Sequence, residues 1–182
     1  MADLLKNRAR VTDPFVSVAD DAPLPAAGTP VLVTLARWQA ERDALIARGD
    51  AIGVQVPGTT TAAELAADLG HWALVAIEFP VFKDGRGYTL ARLLRERFAY
   101  PGELRAVGDV LRDQLFSMRR VGFDAYAVRA DRDPHDALKG LTDFSETYQA
   151  SVDQKVPLFR RHARPAPGAA NNDGADILLE QA

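Results

Sequence analysis

The amino-acid sequence predicts an α/β protein in which about five parallel strands alternate with helices. From Val31 onward, short apolar segments of strand-like composition alternate with segments of helical period, and glycine or proline closes most of them. The segment LVAIEF at 74–79 is almost continuously apolar, as expected for a strand that is covered on both faces of a parallel sheet. Right-handed crossovers between such strands build either an open doubly wound sheet or a partial α/β barrel, and the sequence leaves both architectures open.

Composition divides the chain into three parts. Residues 1–30 mix charged residues with four prolines, and the strand-like alternation of FVSV at 15–18 predicts an N-terminal arm with one edge strand. Residues 31–158 carry the regular alternation and are expected to form a single α/β domain. Residues 159–182 are rich in proline, alanine, asparagine and glycine, so we expect a disordered tail that buries too little apolar surface to fold.

The predicted elements follow one another along this domain. Strands are predicted at 31–35, 51–56, 74–79, 103–107 and 124–128. Helices are predicted at 38–48, after the threonines 59–61, at 88–98, at 109–121 and at 136–149. Gly49, Gly70 and Gly122 mark helix ends because glycine readily adopts the left-handed conformation that closes a helix, and Pro57 and Pro80 end strands.

Composition also excludes several classes of function. The net charge is −3 with acidic and basic residues intermixed, so no nucleic-acid partner is expected. The absence of cysteine excludes disulfides, zinc–thiolate sites, iron–sulfur ligation and thiol nucleophiles. The three histidines share no ligand spacing and no nucleotide-binding loop is present, so we expect no metal site and no bound cofactor. Without a signal-peptide pattern or a membrane-length apolar segment, the protein is expected to be cytoplasmic and to have no membrane contact.

The loop DGRG at 84–87 is the first candidate site. In parallel sheets ligands bind outside the carboxyl ends of the strands, and this loop connects the strand 74–79 to a helix. Gly85 and Gly87 permit positive φ angles and close backbone approach, and Arg86 supplies a planar charged fork that fits an oxyanion. Asp84 is a candidate acid or base. The alternative is a tight turn in which Asp84 hydrogen-bonds the nearby backbone.

The segment GDVLRDQ at 108–114 is the second candidate. With a helix starting at Asp109, Asp113 lies four residues on and on the same face, next to Gln114 and Arg112. Paired carboxylates are able to do acid and base work. The alternative is structural: Asp109 caps the helix, and the carboxylates form ion pairs with Arg105 and Arg112.

A docking surface is the third possibility. Tyr88 and Arg92 lie on the helix that follows DGRG, and Arg92 is spaced to pair with Glu96 at i and i+4. Together with Arg119 and Arg120 at the end of the next helix, this helix could present a basic surface to an acidic partner.

Three segments resemble a family of uncharacterised bacterial proteins encoded beside assimilatory sulfite reductase and labelled as probable oxidoreductases of sulfite reduction. These segments are FPVFKDGRGYTLARLLRER, GELRAVGDVLRDQLFSMRRVGFDAYAVR and, more weakly, LVAIEF, which together span roughly residues 74–130. The DGRG loop, Tyr88, Arg92 and GDVLRDQ match the family pattern. The position of Val121 is often cysteine in that family, and its absence here excludes a thiol mechanism.

The resemblance implies a role in sulfur assimilation, at or next to the reduction of sulfite to sulfide. It also implies the haemoprotein of sulfite reductase, or its electron donor, as a partner. The leading hypothesis is therefore an accessory protein that docks to one of them through DGRG and the two arginine-bearing helices. The competing hypothesis is an oxyanion-binding enzyme or sensor of sulfur metabolism, with the anion held by Arg86 and a carboxylate as acid or base.

Overall fold

The protein folds into a mixed α/β structure around a curled eight-stranded sheet, a half-barrel, in the computed structural model, which describes residues 3–161. The strands in this range are β1 (Asp3–Lys6), β2 (Ala9–Thr12), β3 (Val16–Ser17), β4 (Val31–Thr34), β5 (Ile52–Pro57), β6 (Leu74–Phe79), β7 (Glu103–Gly108) and β8 (Ala125–Tyr126). The helices in this range are α1 (Leu35–Ala47), α2 (Ala62–Leu65), α3 (Arg86–Glu96), α4 (Arg112–Arg120), α5 (Pro134–Lys139) and α6 (Leu158–Arg161).

The strand order decides between the two predicted architectures. The strands lie in the order β2-β1-β8-β7-β6-β5-β4-β3, so each parallel strand from β3 to β8 sits beside the next one in sequence. A doubly wound sheet requires a reversal of strand order, and this sheet has none, so that alternative is wrong and the partial barrel is correct. The expectation of parallel strands holds only for β3 to β8, because β1 runs antiparallel to both β2 and β8.

The two faces of the sheet pack differently. Alternate residues of the central strands, such as Val54, Ile77 and Leu104, contribute to a large core that also contains side chains of α1, α3 and α4. The opposite face carries a smaller cluster of Leu32, Leu74 and Ala76, with Phe15 and Val107 packed against it. The long helices therefore pack on one face, and the N-terminal segment covers part of the other.

The predicted elements from β4 to β8 are confirmed to within a few residues, but the N-terminal segment carries more structure than one edge strand. FVSV contains β3, which lies at the sheet edge as expected. The preceding residues form a hairpin, β1–β2, whose two turn residues Asn7 and Arg8 have φ angles of 50° and 65°. Hairpin turns of this kind usually carry glycine, and KNRA has none, so this turn was not predictable from a glycine signal.

Three helices differ from the prediction. The helix predicted after the threonines 59–61 and closed by Gly70 is the short α2, which ends at Leu65, and a 3-10 turn follows at Leu69–His71. Helix α4 begins at Arg112 and not at Asp109, because the chain continues from β7 through Gly108, Asp109 and Val110 before it turns. The last predicted helix ends at Lys139 and continues only as a 3-10 turn at Gly140–Thr142. The predicted disordered tail falls at 162–182 outside the described residues, and residues 158–161 form the short α6. No helix within residues 3–161 is long and apolar enough to cross a membrane.

Candidate functional site

The carboxyl ends of β6, β7 and β8 meet at one edge of the sheet and carry most of the predicted residues. Gly108 joins two of these ends. Its φ of +95° favours glycine, and a Cβ atom there would clash with the carbonyl oxygen of Phe79. The next amide, of Asp109, donates to that same oxygen at 2.8 Å. The backbone at the end of β7 is therefore fixed directly against the end of β6.

Asp109 and Gln114 hold the loop after β6 from two sides. Asp109 Oδ2 accepts from the amide of Phe82 at 2.9 Å, and Gln114 Nε2 donates to the carbonyl of Phe82 at 3.1 Å. Gln114 is buried, and its Oε1 accepts from the amide of Leu111 at 2.9 Å, which fixes its orientation. We call this arrangement the Phe82 clamp: the two side chains Asp109 and Gln114 bound to the backbone of Phe82.

The other oxygen of Asp109 is also engaged. Arg129 Nη1, beyond the end of β8, donates to Asp109 Oδ1 at 2.8 Å. Arg129 also donates to Asp131 through Nε at 2.6 Å and Nη2 at 3.0 Å. Hydrogen bonds to Asp131 and then to Asp109 raise the pKa of Arg129 further above its ordinary value. The role of Asp109 is thus to tie together three loops, and the prediction that it caps a helix is wrong.

The clamp presents apolar side chains to solvent. Val81 is 47% exposed and Phe82 is 48% exposed, although the backbone of Phe82 is hydrogen-bonded through both its amide and its carbonyl. Lys83 and Arg86 are exposed next to them in sequence. We call Val81, Phe82, Lys83 and Arg86 the Phe82 edge. It combines apolar side chains on a fixed backbone with two cations.

The DGRG loop forms a self-contained turn. Asp84 Oδ1 accepts from the amide of Arg86 at 3.1 Å, and the two side chains pair through Nε at 2.9 Å and Nη2 at 2.7 Å. These hydrogen bonds lower the pKa of Asp84 to about 2 and raise the pKa of Arg86. The structure therefore contains the tight turn that was the alternative reading, and the fork of Arg86 is directed at its own neighbour.

The glycines of this loop do not adopt the positive φ angles that their presence suggested. Gly85 precedes α3 with a φ of −88°, and a Cβ atom there would meet open space. Gly87 is required for another reason, because a Cβ atom would lie 2.7 Å from Phe79 Cζ and 3.0 Å from Ile77 Cγ2. Glycine at this position lets the first turn of α3 pack closely against β6.

A shallow groove of about 290 Å³ lies beside the start of α3. Its lining combines hydroxyl groups, one guanidinium and apolar side chains: Gly58, Thr59, Thr60, Thr61, Ala62, Arg86, Thr89, Leu90 and Leu93. The backbone of Gly58 approaches Gly87 so closely that a Cβ atom on it would lie 3.2 Å from the Gly87 amide nitrogen. Among the predicted residues, Arg86 alone lines this groove.

Asp109 and Asp113 do not form the predicted pair on one helix face. Asp109 precedes α4, whereas Asp113 lies in its first turn and is exposed. Tyr88 packs edge-on against Phe79 with ring centroids 5.5 Å apart. Burial raises the pKa of Tyr88, and the charge of Asp113 contributes to the same shift. Of the two carboxylates, only Asp113 therefore lies in α4.

Arg112 and Arg92 make ion pairs. Arg112 Nη1 lies 3.1 Å from Asp136 and its Nη2 lies 3.4 Å from Asp143. Arg92 Nε lies 2.9 Å from Glu96, as the i and i+4 spacing predicts. Arg112 and Asp113 line a wider groove of about 690 Å³ whose other charged residues are mostly carboxylates: Asp131, Arg132, Asp133, Asp136 and Asp143. Within residues 3–161, no group of three or more histidine, aspartate or glutamate side chains could hold a metal ion.

Sequence reasoning placed its candidates at this edge of the sheet but missed the exposed Val81 and Phe82. Val81 and Phe82 follow a proline in a short loop, and their sequence gives no sign that they are exposed. Arg129 is not among the predicted site residues. The signal that could have found the clamp is an amide and a carboxylate, Gln114 and Asp109, flanking the start of a helix, together with a Pro-Val-Phe segment at 80–82 that lacks hydrogen-bonding side chains.

The fold and site define a class of protein: an α/β half-barrel with a clamped, partly apolar loop at the carboxyl edge of its sheet. The chain belongs to the family described as bacterial protein of unknown function (DUF934), whose sequence model matches residues 53–159. The match runs from β5 into α6 and includes every predicted site residue. Neither a search of curated proteins nor a search of solved structures found a match.

Proposed function

We propose that this protein is an accessory protein of assimilatory sulfite reduction, which docks to the sulfite reductase or to its electron donor through the Phe82 edge. The observation that carries the docking role is the clamp, which holds an exposed phenylalanine on a backbone hydrogen-bonded at both its amide and its carbonyl. The choice of partner rests on the resemblance of residues 74–130 to proteins encoded beside sulfite reductase.

The physical case for docking is preorganisation. Aromatic residues that fill a pocket on the partner contribute most of the energy of many interfaces. Ordering a loop on binding costs free energy, and a loop that is already fixed avoids most of that cost. Asp109 and Gln114 fix the Phe82 loop before any partner arrives, so the energy of burying Val81 and Phe82 is available for binding.

The cations beside the loop favour an acidic partner surface. Lys83 makes no ion pair through its side chain within the described residues, and the charge of Arg86 is partly offset by Asp84. Arg119 and Arg120, which were expected to extend this surface, lie 3.9 Å and 3.5 Å from Asp153. We therefore restrict the proposed docking surface to the Phe82 edge, where rim charges act mainly on the rate and selectivity of association.

The test is a binding measurement with purified sulfite reductase and with its ferredoxin or flavodoxin donor. Phe82→Ala should weaken binding at least tenfold, because it removes the exposed aromatic side chain. Gln114→Ala should weaken binding while the far-ultraviolet circular dichroism stays unchanged, because it releases one side of the clamp. Phe159→Ala is the matched control: Phe159 is 61% exposed but lies in α6, outside the Phe82 edge.

Two results would overturn the proposal. The first is the absence of association with either partner, both with purified proteins and in pull-downs from cells grown on sulfate. The second is equal binding by the Phe82→Ala and Phe159→Ala variants, which would show that the clamped loop does not dock.

A second candidate function is oxyanion binding in sulfur metabolism. The groove that Arg86 lines together with three threonines favours it, because hydroxyl and guanidinium groups both donate to anions. An anion there would have to replace Asp84 as the partner of Arg86. Calorimetry with sulfite and sulfate tests this directly: Arg86→Ala should lower the affinity by roughly tenfold or more. Unchanged affinity, or no binding by the natural protein, would remove this candidate.

A further inference from the structure

A second surface has the character of a peptide-binding groove. Its lining residues include none of the four residues of the Phe82 edge. Two adjoining hollows of about 320 and 310 Å³ share Arg8 and Arg119 in their linings. The first has an apolar floor of Phe123, Tyr126 and Leu141, each no more than 2% exposed. The second is lined by more polar residues together with Phe144 and Arg161. We call the two hollows the Arg8 groove.

Of the two arginines shared by the hollows, Arg8 makes no ion pair or hydrogen bond through its side chain among the described residues. Arg119 pairs with Asp153 at 3.9 Å, although Asp153 lies closer to Arg120, at 3.5 Å. The other acids that line the groove also have partners: Asp124 pairs with Arg95 at 3.0 Å, and Glu146 pairs at 2.9 Å with Arg161, which lines the groove as well. The groove thus keeps one cation, Arg8, whose charge is available for a ligand.

The position of Arg8 also needs an explanation. It is the second residue of the β1–β2 turn and has a φ of 65°, a conformation in which glycine is strongly favoured. A glycine there would make a better turn but would leave the groove without this cation. Unfavourable backbone conformations retained in native proteins often accompany functional side chains. This placement, with the uncompensated charge, points to an acidic ligand.

The chain itself contains a segment of matching chemistry. Residues 176–180 read Asp-Ile-Leu-Leu-Glu, three apolar side chains between two carboxylates. The described chain ends at Arg161, which lines the groove, so only the fourteen residues 162–175 separate this segment from it. A linker of that length spans about 20 Å on average if flexible, and at most about 50 Å when extended.

We propose that residues 176–180 bind the Arg8 groove of the same chain. Their apolar side chains occupy the hollow above Phe123, Tyr126 and Leu141, and their carboxylates face Arg8. The interaction does not have to be strong. A short linker gives an effective concentration of about 1 mM, so a segment with an intrinsic Kd of about 0.1 mM is bound roughly nine-tenths of the time. This proposal is independent of the docking role of the Phe82 edge.

Because the chain contains no cysteine, introduced cysteine pairs can test this proposal without competing thiols. In the full chain, Leu178→Cys is combined with Ser145→Cys, an exposed position in the Arg8 groove, or with Thr59→Cys, an exposed position in the groove beside α3. Under mild oxidation, the pair with Ser145→Cys should form an intramolecular disulfide at least tenfold faster than the control pair. The rate should not depend on protein concentration.

Charge variants then test the recognition itself. Arg8→Gly removes the cation but keeps a residue that suits the turn, so the hairpin remains folded. This variant, and separately the pair Asp176→Asn with Glu180→Gln, should slow disulfide formation at least threefold. Equal rates for the two cysteine pairs would overturn the proposal. So would a disulfide that forms only between chains, or a fast disulfide that neither charge variant slows.

Discussion

Asp84 is a candidate acid or base by its chemistry, but its carboxylate is hydrogen-bonded within a turn. Its carboxylate accepts hydrogen bonds from Arg86, two residues on, through the backbone amide and the guanidinium. Such a pair lowers the carboxyl pKa because it stabilises the charged form. A low pKa makes Asp84 a poor proton donor near neutral pH, and its lone pairs are already engaged, so its place in the structure favours a turn over acid or base catalysis.

This pairing predicts a pH-dependent contribution of Asp84 to stability. The pKa of Asp84 is about 2 in the folded protein, against an ordinary value of 3.8. A carboxyl whose pKa is depressed on folding stabilises the native state above its unfolded pKa and loses that effect as the pH falls through its folded pKa. Asp84→Asn should therefore lower the urea midpoint above about pH 4, and the difference from the natural protein should shrink toward pH 2.

A background variant separates this effect from other acid transitions. In Arg86→Gln protein, the guanidinium that lowers the pKa of Asp84 is absent and the backbone amide of residue 86 remains as a donor, so the change in urea midpoint caused by Asp84→Asn should vary less with pH. A pH-dependent difference of equal size in both backgrounds would show that Arg86 is not the cause.

Residue contacts were predictable from the sequence where they are local. The Arg92 and Glu96 pair is fixed by helical spacing, and the Asp84 turn follows from the turn preferences of Asp-Gly. The partners of Asp109 are 27 residues before it and 20 after it, on loops that only the folded sheet brings together. The expected helix cap and the expected ion pairs with Arg105 and Arg112 were wrong for Asp109, because they used only nearby residues in the sequence.

At the scale of elements, β7 illustrates what hydrophobic periodicity does and does not reveal. Leu104 and Ala106 point into the helix-covered core, whereas Arg105 faces the other side and is only 2% exposed. Its guanidinium binds Glu103 at 2.8 Å and both oxygens of Asp13 at 2.6 and 3.0 Å. The strand was predicted correctly from its alternation, but the long-range partner of Arg105, 92 residues away, was not predictable.

This buried network should be essential for attaching the N-terminal segment to the sheet. Removing one partner of a buried ion pair leaves an uncompensated charge and typically costs about 3–5 kcal/mol. We expect Arg105→Ala to lower the free energy of unfolding by about that amount in urea titrations. Arg42→Ala is the control, because the Arg42 side chain is 41% exposed in its ion pair with Asp68, and its loss should have a small effect. Equal effects would show that the network contributes no more than a surface pair.

At the scale of the whole molecule, the sequence predicted the alternation of elements but not the order in which strands pair. Each crossover is right-handed in either architecture, so local patterns are the same in a doubly wound sheet and a partial barrel. What separates them is whether successive strands keep adding on one side, and that depends on contacts across the whole sheet. The β1–β2 hairpin adds to this order by covering the open edge of β8, which would otherwise expose unpaired backbone groups.

If the hairpin is an integral part of one cooperative fold, a destabilising change in β1 should also shift the unfolding transition of the far side of the sheet. Leu5 is fully buried and pairs with Tyr126 of β8. The tryptophans Trp38 and Trp72 pack against each other, 5.4 Å apart, next to α1 and the start of β6. Leu5→Ala should lower the free energy of unfolding by about 2–5 kcal/mol, because it leaves a cavity in the core.

Tryptophan fluorescence and circular dichroism should report the same shift of the urea transition, because two-state unfolding makes all probes coincide. The exposed residue Thr12, at the end of β2, supplies the control: Thr12→Ala should leave both transitions nearly unchanged. A tryptophan transition that stays in place while circular dichroism shows an earlier loss of structure would mean that the hairpin unfolds by itself. The half-barrel from β3 to β8 would then be the stable unit, and the N-terminal strands an addition to it.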